Sequence, residues 1–449
     1  MVLRATIQIN LAGQWQDAAT VSPVDISQGH VGASVLEYLP HYALAHIGQS
    51  EDAAGVSCRY PANFDYYDLL TWPPLLLDLL PNGAGRERWL TQLLIADGLS
   101  ADWPLLLHAC ANPPGNLRIK EAAENRRKLH TLPQADGRQV AITHHAGFSQ
   151  QDIVDKQEHF IEYAYQHGAF AAGASDVQGV APKFLMVVDS LGRWHAQGGL
   201  EETQEHAHYI VKFPRGKSTA DKQVLKNEAA YMQVAKALGI SVHGPLLWRQ
   251  NTLFIPRFDR PVGAQNQLQY LGMESLGSLA GVGLYGSEYG GAPNHGDLVA
   301  ALANYSTQPT ADVLEYLKRD VLNIMLGNKD NHARNSAVLK SFHATKAKVC
   351  LSPLFDFAPM YLDPEIIPRA CRWPGDQEIG GQPNWVSVVN NMPPLVDKNA
   401  VRQGLLNWLP ILQTTAAVMV GCGVDESIVT YCKPAIKRQI TALGSLSDA

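Results

Sequence analysis

A switch in hydrophobic period near residue 260 constrains this chain more than any other feature. Before it, short alternating or β-branched runs read as strands: residues 4–11 (RATIQINL, then the turn pair Ala12-Gly13), 184–189 (FLMVVD), 208–213 (HYIVKF) and 252–259 (TLFIPRFD). Within 138–258 one helical pattern intervenes, at about 222–238, closed by Gly239, the usual residue just past a helix end. After 260, helical spacing takes over at 296–304, 311–326, 399–419 and 425–443, interrupted by SAVLK (336–340) and KVCLS (348–352), which read as a β-hairpin. The order predicts an α+β chain: a mixed α/β unit, then a mainly helical one, with a cleft between them as the natural place for a ligand. Expected segments are 1–137, 138–258 and 259–449. In the first of these, 86–96 reads as an amphipathic helix, and 119–129 as an exposed polar helix or connector.

Composition narrows the function classes. With 46% hydrophobic and 17% charged residues over 449 positions, global disorder is excluded and a large core is expected. A net charge of −6 speaks against a whole-protein basic field for nucleic acid and leaves room only for a local basic cleft. No apolar run reaches the roughly 18 residues that span a bilayer. The start, MVLRATIQIN, lacks a signal-peptide apolar region, so a cytoplasmic protein is expected. The six cysteines are scattered without a CxxC and read as reduced thiols.

The densest chemistry lies in Met325-Leu-Gly-Asn-Lys-Asp330-Asn-His332-Ala-Arg-Asn335. A helix with Leu314, Leu317, Val321, Ile324 and Met325 on one face stops at Gly327, and a polar loop presents Asp330, His332 and Asn335. Asp-x4-Asn is the spacing of a phosphoryl-transfer catalytic loop, in which the Asp accepts the proton of the attacking hydroxyl and the Asn holds magnesium. The hairpin that follows ends in Leu-Phe-Asp356-Phe, where a second metal ligand is expected; Asn335 and Asp356 supply the hard oxygens that magnesium takes. Against this stands the ordinary use of Asn and Asp in loops, the Asx-turn. A second pair is Lys212, inside an apolar strand, and Glu228. Val224, Tyr231, Ala235 and Leu238 share a helix face with Glu228, so its carboxylate falls within a stripe that should pack on the sheet. A buried Glu needs a partner, and a strand lysine is the candidate; solvent-facing positions for both are the plain alternative. Third, residues 173–183 (GASDVQGVAPK) offer small residues, Gly179 and Lys183 for a phosphate, though as a bare motif they equally suit a surface turn. His206 and His208 beside Glu205 lack a third ligand at metal spacing.

As a set, these pieces resemble the HipA-like serine/threonine kinases, toxins of bacterial toxin–antitoxin pairs. The resemblance runs from about 70 to 380. It is carried by Leu-Leu-Leu-Asp-Leu-Leu-Pro81 with Arg86 and Arg88, Ser175 to Lys183, Tyr209-Ile-Val-Lys212-Phe-Pro, Asn227-Glu228, Arg257-Phe258-Asp259-Arg260, the 326–335 loop, and Leu-Ser-Pro-Leu-Phe-Asp356. It implies a two-lobed, protein-kinase-like fold with an extra N-terminal subdomain. It implies Asp330 as catalytic base, Asn335 and Asp356 as magnesium ligands, and Lys212, oriented by Glu228, on the ATP phosphates. Gly179 and Lys183 would cover those phosphates, His332 would join the nucleotide site, Arg257 and Phe258 would sit at the adenine-binding connection, and Ser175 would be a regulatory autophosphorylated serine. The implied cofactors are ATP and Mg2+; the implied partners are a protein bearing a Ser or Thr hydroxyl and an antitoxin protein, with no membrane. Pro256, Gln178 and Ala181 depart from the family's usual acidic, Gly and Arg residues. Two alternatives stand beside the kinase: a metal-dependent nuclease using the same acidic site, which would not need Lys212 and Glu228, and a pseudokinase that binds without transfer.

Overall fold

The computed structural model describes residues 3–47, 54–129, 131–133, 139–141, 146–155, 160, 162–164, 183–263, 267–283, 293–343, 346–364 and 368–448. They form two compact units. One comprises the chain up to Phe213 with Phe254–Glu274 and Lys340–Ala347; the other comprises Pro214–Leu253, Ser275–Leu339 and Lys348–Ala449. The division therefore differs from the three consecutive segments expected: the chain changes unit at Pro214 and again after Leu253, so the strand of Lys212 and the helix of Glu228 belong to different units.

The first unit holds two larger sheets besides a small two-stranded one, Thr131–Pro133 with Gln139–Ala141. Strands β1 (Ala5–Leu11), β2 (Gln14–Pro23), β3 (Ser34–Tyr38), β4 (Tyr66–Leu69) and β5 (Leu117–Ile119) lie in the order β4-β3-β2-β1-β5. The β1–β2 hairpin closes through Ala12 and Gly13, both at positive φ (52° and 81°), the conformation that a two-residue turn needs to match the strand twist. Period-2 alternation buries Ala5, Ile7 and Ile9 on one face. The polar helix α1 (Lys120–Leu129) is not simply exposed: Ala122 and Ala123 are buried, and Glu121 accepts the Thr6 N–H on β1.

In the second sheet, β6 (Lys183–Val188), β7 (Trp194–Ala196), β8 (Ala207–Lys212) and β9 (Thr252–Pro256) run in the order β9-β8-β6-β7. Strand β9 stops at Pro256, short of the expected residue 259, since proline has no N–H to continue a ladder. An aromatic core of Phe148, Phe160, Phe184, Trp194, Phe213 and Phe254 covers one face of the sheet. Pairing of Val211 with Phe184 and of Tyr209 with Met186 puts these residues on that face. The pleat then turns Lys212 and its cross-strand partner Lys183 to the other.

The second unit is mainly helical. Helix α2 (Thr219–Ala237) is N-capped by Ser218 and stops at Gly239, φ 84°. Helices α3 (His295–Tyr305) and α4 (Pro309–Leu326) follow as expected. The expected helix at 399–419 is instead three pieces, α5 (Lys398–Leu406), α6 (Leu409–Leu412) and α7 (Thr415–Gly421). Pro410, lacking an N–H, fits only a first turn, so the helix restarts there. Helix α8 (Glu426–Gly444) ends the bundle. The expected hairpin is β10 (Ala337–His343) and β11 (Lys346–Leu351). No single described helix is long and apolar enough to cross a membrane.

Candidate active site

The loop between α4 and β10 is set by its entry. Gly327 takes φ 70° to close α4, and a Cβ there would stand 2.7 Å from the Tyr361 ring. Its carbonyl accepts the Tyr361 N–H at 2.9 Å, which ties the segment after Asp356 to the start of the Asp330 loop. Within the loop it is Asn328, not Asp330, that makes the Asx-turn, accepting the Asp330 N–H at 3.3 Å while its amide donates to Asn323. Asn335 closes the loop by donating Nδ2 to the Asp330 carbonyl at 2.7 Å. The His332 Nδ1 accepts the Arg334 N–H, which assigns the ring proton to Nε2, 3.6 Å from Asp330 Oδ1.

Asp330, Asn335 and Asp356 line one cavity of ≈ 370 Å³, its open mouth included, together with Asn328 and Asn331. The Asn335 nitrogen is committed to the loop, so its Oδ1 is the atom left to offer a cation. With the Asp356 carboxylate it gives two hard oxygen donors, the ligand type that magnesium accepts from protein while keeping the rest for water and phosphate. Among the described residues no group of three or more His, Cys, Asp or Glu is placed to hold a metal ion. Asp356 has φ 54°, a left-handed conformation that Asp tolerates better than most side chains.

The other expected residues fall as follows. Glu228 is 4% exposed, as its place in the apolar stripe implies, and Lys212 is 5% exposed at the end of β8. Lys183 pairs directly with Lys212 across the sheet, which puts two lysine side chains on one face of the same unit. Like charges directly opposed destabilise a sheet, by a fraction of a kcal/mol to about 1 kcal/mol. Arg257 is committed elsewhere: its guanidinium donates to Asp259 at 2.9 and 2.5 Å and to Gln197 at 2.7 Å. Phe258 beside it is half-buried. Ser175 and Gly179, with Gln178 and Ala181, lie outside the described residues.

Behind the Asp330 loop stands a group that the sequence reading missed. Asp320 on α4 is 1% exposed. It accepts from Arg369 Nη2 at 2.7 Å on both oxygens and from Trp373 Nε1 at 2.9 Å, with His295 Nε2 at 3.3 Å. Burial opposes the charge on Asp320, but Arg369 and His295 outweigh it and hold the carboxyl well below the ordinary range. Burial likewise works against the His295 proton; the Asp320 carboxylate prevails and raises the ring to about 10. The signal was available: Asp320 falls among Val313, Tyr316, Leu317 and Val321, the same in-stripe acid pattern that exposed Glu228.

Comparison with known proteins gives three findings. The family model for the HipA-like C-terminal domain matches residues 175–400, half of the chain. Y4mE of Sinorhizobium fredii (strain NBRC 101917 / NGR234), whose name gives it provisionally as a kinase, is 29% identical over 151 residues, 32% of this chain. That match spans about a third, 34%, of the relative's own length. HipA of Shewanella oneidensis MR-1, solved in a complex with HipB and its operator DNA, superposes with a TM-score of 0.66 at 16% identity, covering 99% of this chain and 100% of that one. At that identity the likeness is one of fold.

Proposed function

The chain belongs to the HipA-like family, and from that premise we propose that it is a magnesium- and ATP-dependent kinase that phosphorylates a serine or threonine hydroxyl of a protein. The observation that carries the reading is the convergence of Asp330, Asn335 and Asp356 on one cavity, from a loop and a hairpin exit held together by the Gly327–Tyr361 backbone bond. In the proposed reaction Asp330 accepts the proton of the attacking hydroxyl. The Asn335 Oδ1 and the Asp356 carboxylate hold magnesium, whose charge offsets that developing on the transferred phosphoryl group. Lys183 and Lys212, paired across the sheet, suit a polyphosphate, whose negative charge attracts both. His332, its Nε2 3.6 Å from Asp330 Oδ1, helps fix the place of that carboxylate. Little covalent chemistry is asked of the protein; positioning and charge supply the rate.

Three finer parts belong to the same proposal. Ser175 is the site of autophosphorylation. The partner is a small antitoxin of the kind seen with the Shewanella protein, and nucleic acid is met only through it. The protein works in the cytoplasm. The test is a single-turnover assay with labelled ATP and lysate protein: Asp330→Ala is expected to lower turnover about 10²–10⁴-fold, the usual worth of a general base. Undiminished labelling rejects the role of Asp330, and plasmid cleavage with magnesium and no ATP replaces the kinase by a nuclease.

A further inference from the structure

The Asp330 loop is anchored by side chains to which the proposed chemistry assigns no step. Asn331, the next residue, is 7% exposed. Its Oδ1 accepts the Cys371 N–H at 3.1 Å and its Nδ2 donates to the Cys371 carbonyl at 3.2 Å, so the side-chain amide behaves as one residue of a β-ladder. A backbone bond reinforces the match, Ala370 N–H to Lys329 O at 3.1 Å. The segment it grips is held in turn by Asp320, which takes Arg369 and Trp373, the residues two before and two after Cys371. Arg369 and Trp373 thus reach Asp320 from either side of the Cys371 backbone that Asn331 grips. Asp320 Oδ1 is also 3.5 Å from Asn331 Nδ2.

The remaining donors and acceptors close the frame. Glu378 accepts from Arg369 Nη1 at 2.8 Å and from the Trp373 N–H at 3.0 Å. His295 stacks on Trp373 with ring centroids 5.0 Å apart, and its Nδ1 meets the Tyr316 hydroxyl at 2.7 Å. A buried carboxylate whose oxygens are all engaged by fixed donors has one geometry open to it, which makes it a rigid reference point.

We propose that Asp320, acting through Asn331 and the 369–373 segment, is a positioning residue that fixes where Asp330 stands relative to the attacking hydroxyl. Asp320 and Asn331 border the same cavity as Asp330, but their side-chain hydrogen bonds run to the 369–373 segment. The device matters because displacement of a catalytic group by about 1 Å costs on the order of 10²-fold in rate. The kinetic part of the proposal rests on the kinase reading; the mechanical part does not.

Two variants test it. Asn331→Ala removes the amide clamp and leaves the Asp320 ion cluster whole. Asp320→Asn keeps the shape and removes the charge. Amide hydrogen exchange and steady-state kinetics are measured on the full chain. For Asn331→Ala, exchange at residues 328–335 is expected to quicken at least about tenfold while α4 keeps its protection. With it, kcat falls about 10–100-fold and KM for ATP holds within about twofold. In Asp320→Asn the His295 ring, followed by NMR, titrates nearer the ordinary histidine range, and the same loop loosens. Unchanged exchange at 328–335 in Asn331→Ala overturns the proposal, whether or not kcat falls, because the loop is then held by something else. A rise in KM for ATP equal to the loss in kcat/KM also overturns it. If the wild-type chain transfers no phosphate, the kinase reading fails, and exchange alone decides whether Asn331 holds the loop.

Discussion

Each unit of the molecule buries a cluster of charges, and the two clusters solve the same electrostatic problem with different success. In the second unit Asp320 meets Arg369, His295 and Trp373, and both of its oxygens are used. In the first, Asp259 is equally well served, by Arg257, by Arg260 at 2.8 Å and by the Gly115 N–H at 2.8 Å. Its neighbours are not. Glu205 and His208 lie 2.9 Å apart, yet their buried Oε2, Nδ1 and Nε2 have no well-formed hydrogen bond. Burial, with Glu202 adding to it, lifts Glu205 to about 8; burial, then Arg257 and Arg260, lowers His208 to about 2. At neutral pH that pair is an uncharged acid against an uncharged imidazole. The contrast teaches that charge is retained in the interior where donors are preplaced, and is given up where they are not.

Removing the well-served carboxylate should have the largest effect. Asp320→Ala leaves His295 without its counter-charge and Arg369 with Glu378 alone, and is expected to cost about 3–5 kcal/mol in chemical denaturation. A loss below about 1 kcal/mol would erase the distinction between the clusters. Next in size is the response to pH. Glu205 goes from an ordinary 4.5 to about 8 on folding, so its contribution falls as pH rises from 4.5 to 8; His208, lowered from 6.5 to about 2, gains over its own window, so the two offset each other up to about 6.5 and the net loss shows between 6.5 and 8. His295 goes from 6.5 to about 10, so its contribution is complete below 6.5 and is lost as pH climbs toward 10. Two losses on raising the pH follow, one complete near 8 and the other near 10, and thermal midpoints across the range should resolve them. Glu205→Gln should flatten the lower loss and spare the upper one; loss of both would show that the clusters titrate as one. At pH 7 the same substitution should change stability by less than about 1 kcal/mol, because the carboxyl is already neutral. Smallest is Lys183→Gln, expected to change the unliganded stability by less than about 1 kcal/mol and to remove most of the added stability that ATP confers.

What the sequence discloses follows the range of the interaction. Asp330, Asn335 and Asp356 are legible because one helix end, one turn and one hairpin set them, all within about thirty residues. Glu228 is legible because an acid inside an apolar stripe is an anomaly at helical spacing, and its burial follows. Asp320 carries the same anomaly, but its partners at 295, 331, 369 and 373 come from three other segments with no periodic signature. Register is similarly hidden: each strand around Lys183 and Lys212 can be recognised alone, whereas their opposition depends on which residues pair. Strand β2 (QWQDAATVSP) mixes polar and apolar residues too evenly to announce itself, and it is held by pairing with β1 and β3. The break at Pro410 was visible and outweighed by the apolar spacing around it.

Asp356 joins two requirements that few side chains meet together. Its backbone turns left-handed, and its carboxylate shares a cavity with Asp330 and Asn335. Glutamate would keep the charge with a longer stem and a poorer backbone fit; asparagine or glycine would keep the turn and give up the charge. Under the proposed reaction, a lineage that abandoned catalysis could drift to either of the latter two and still fold. Position 356 is therefore the first place to look when telling a working copy of this protein from a silent one.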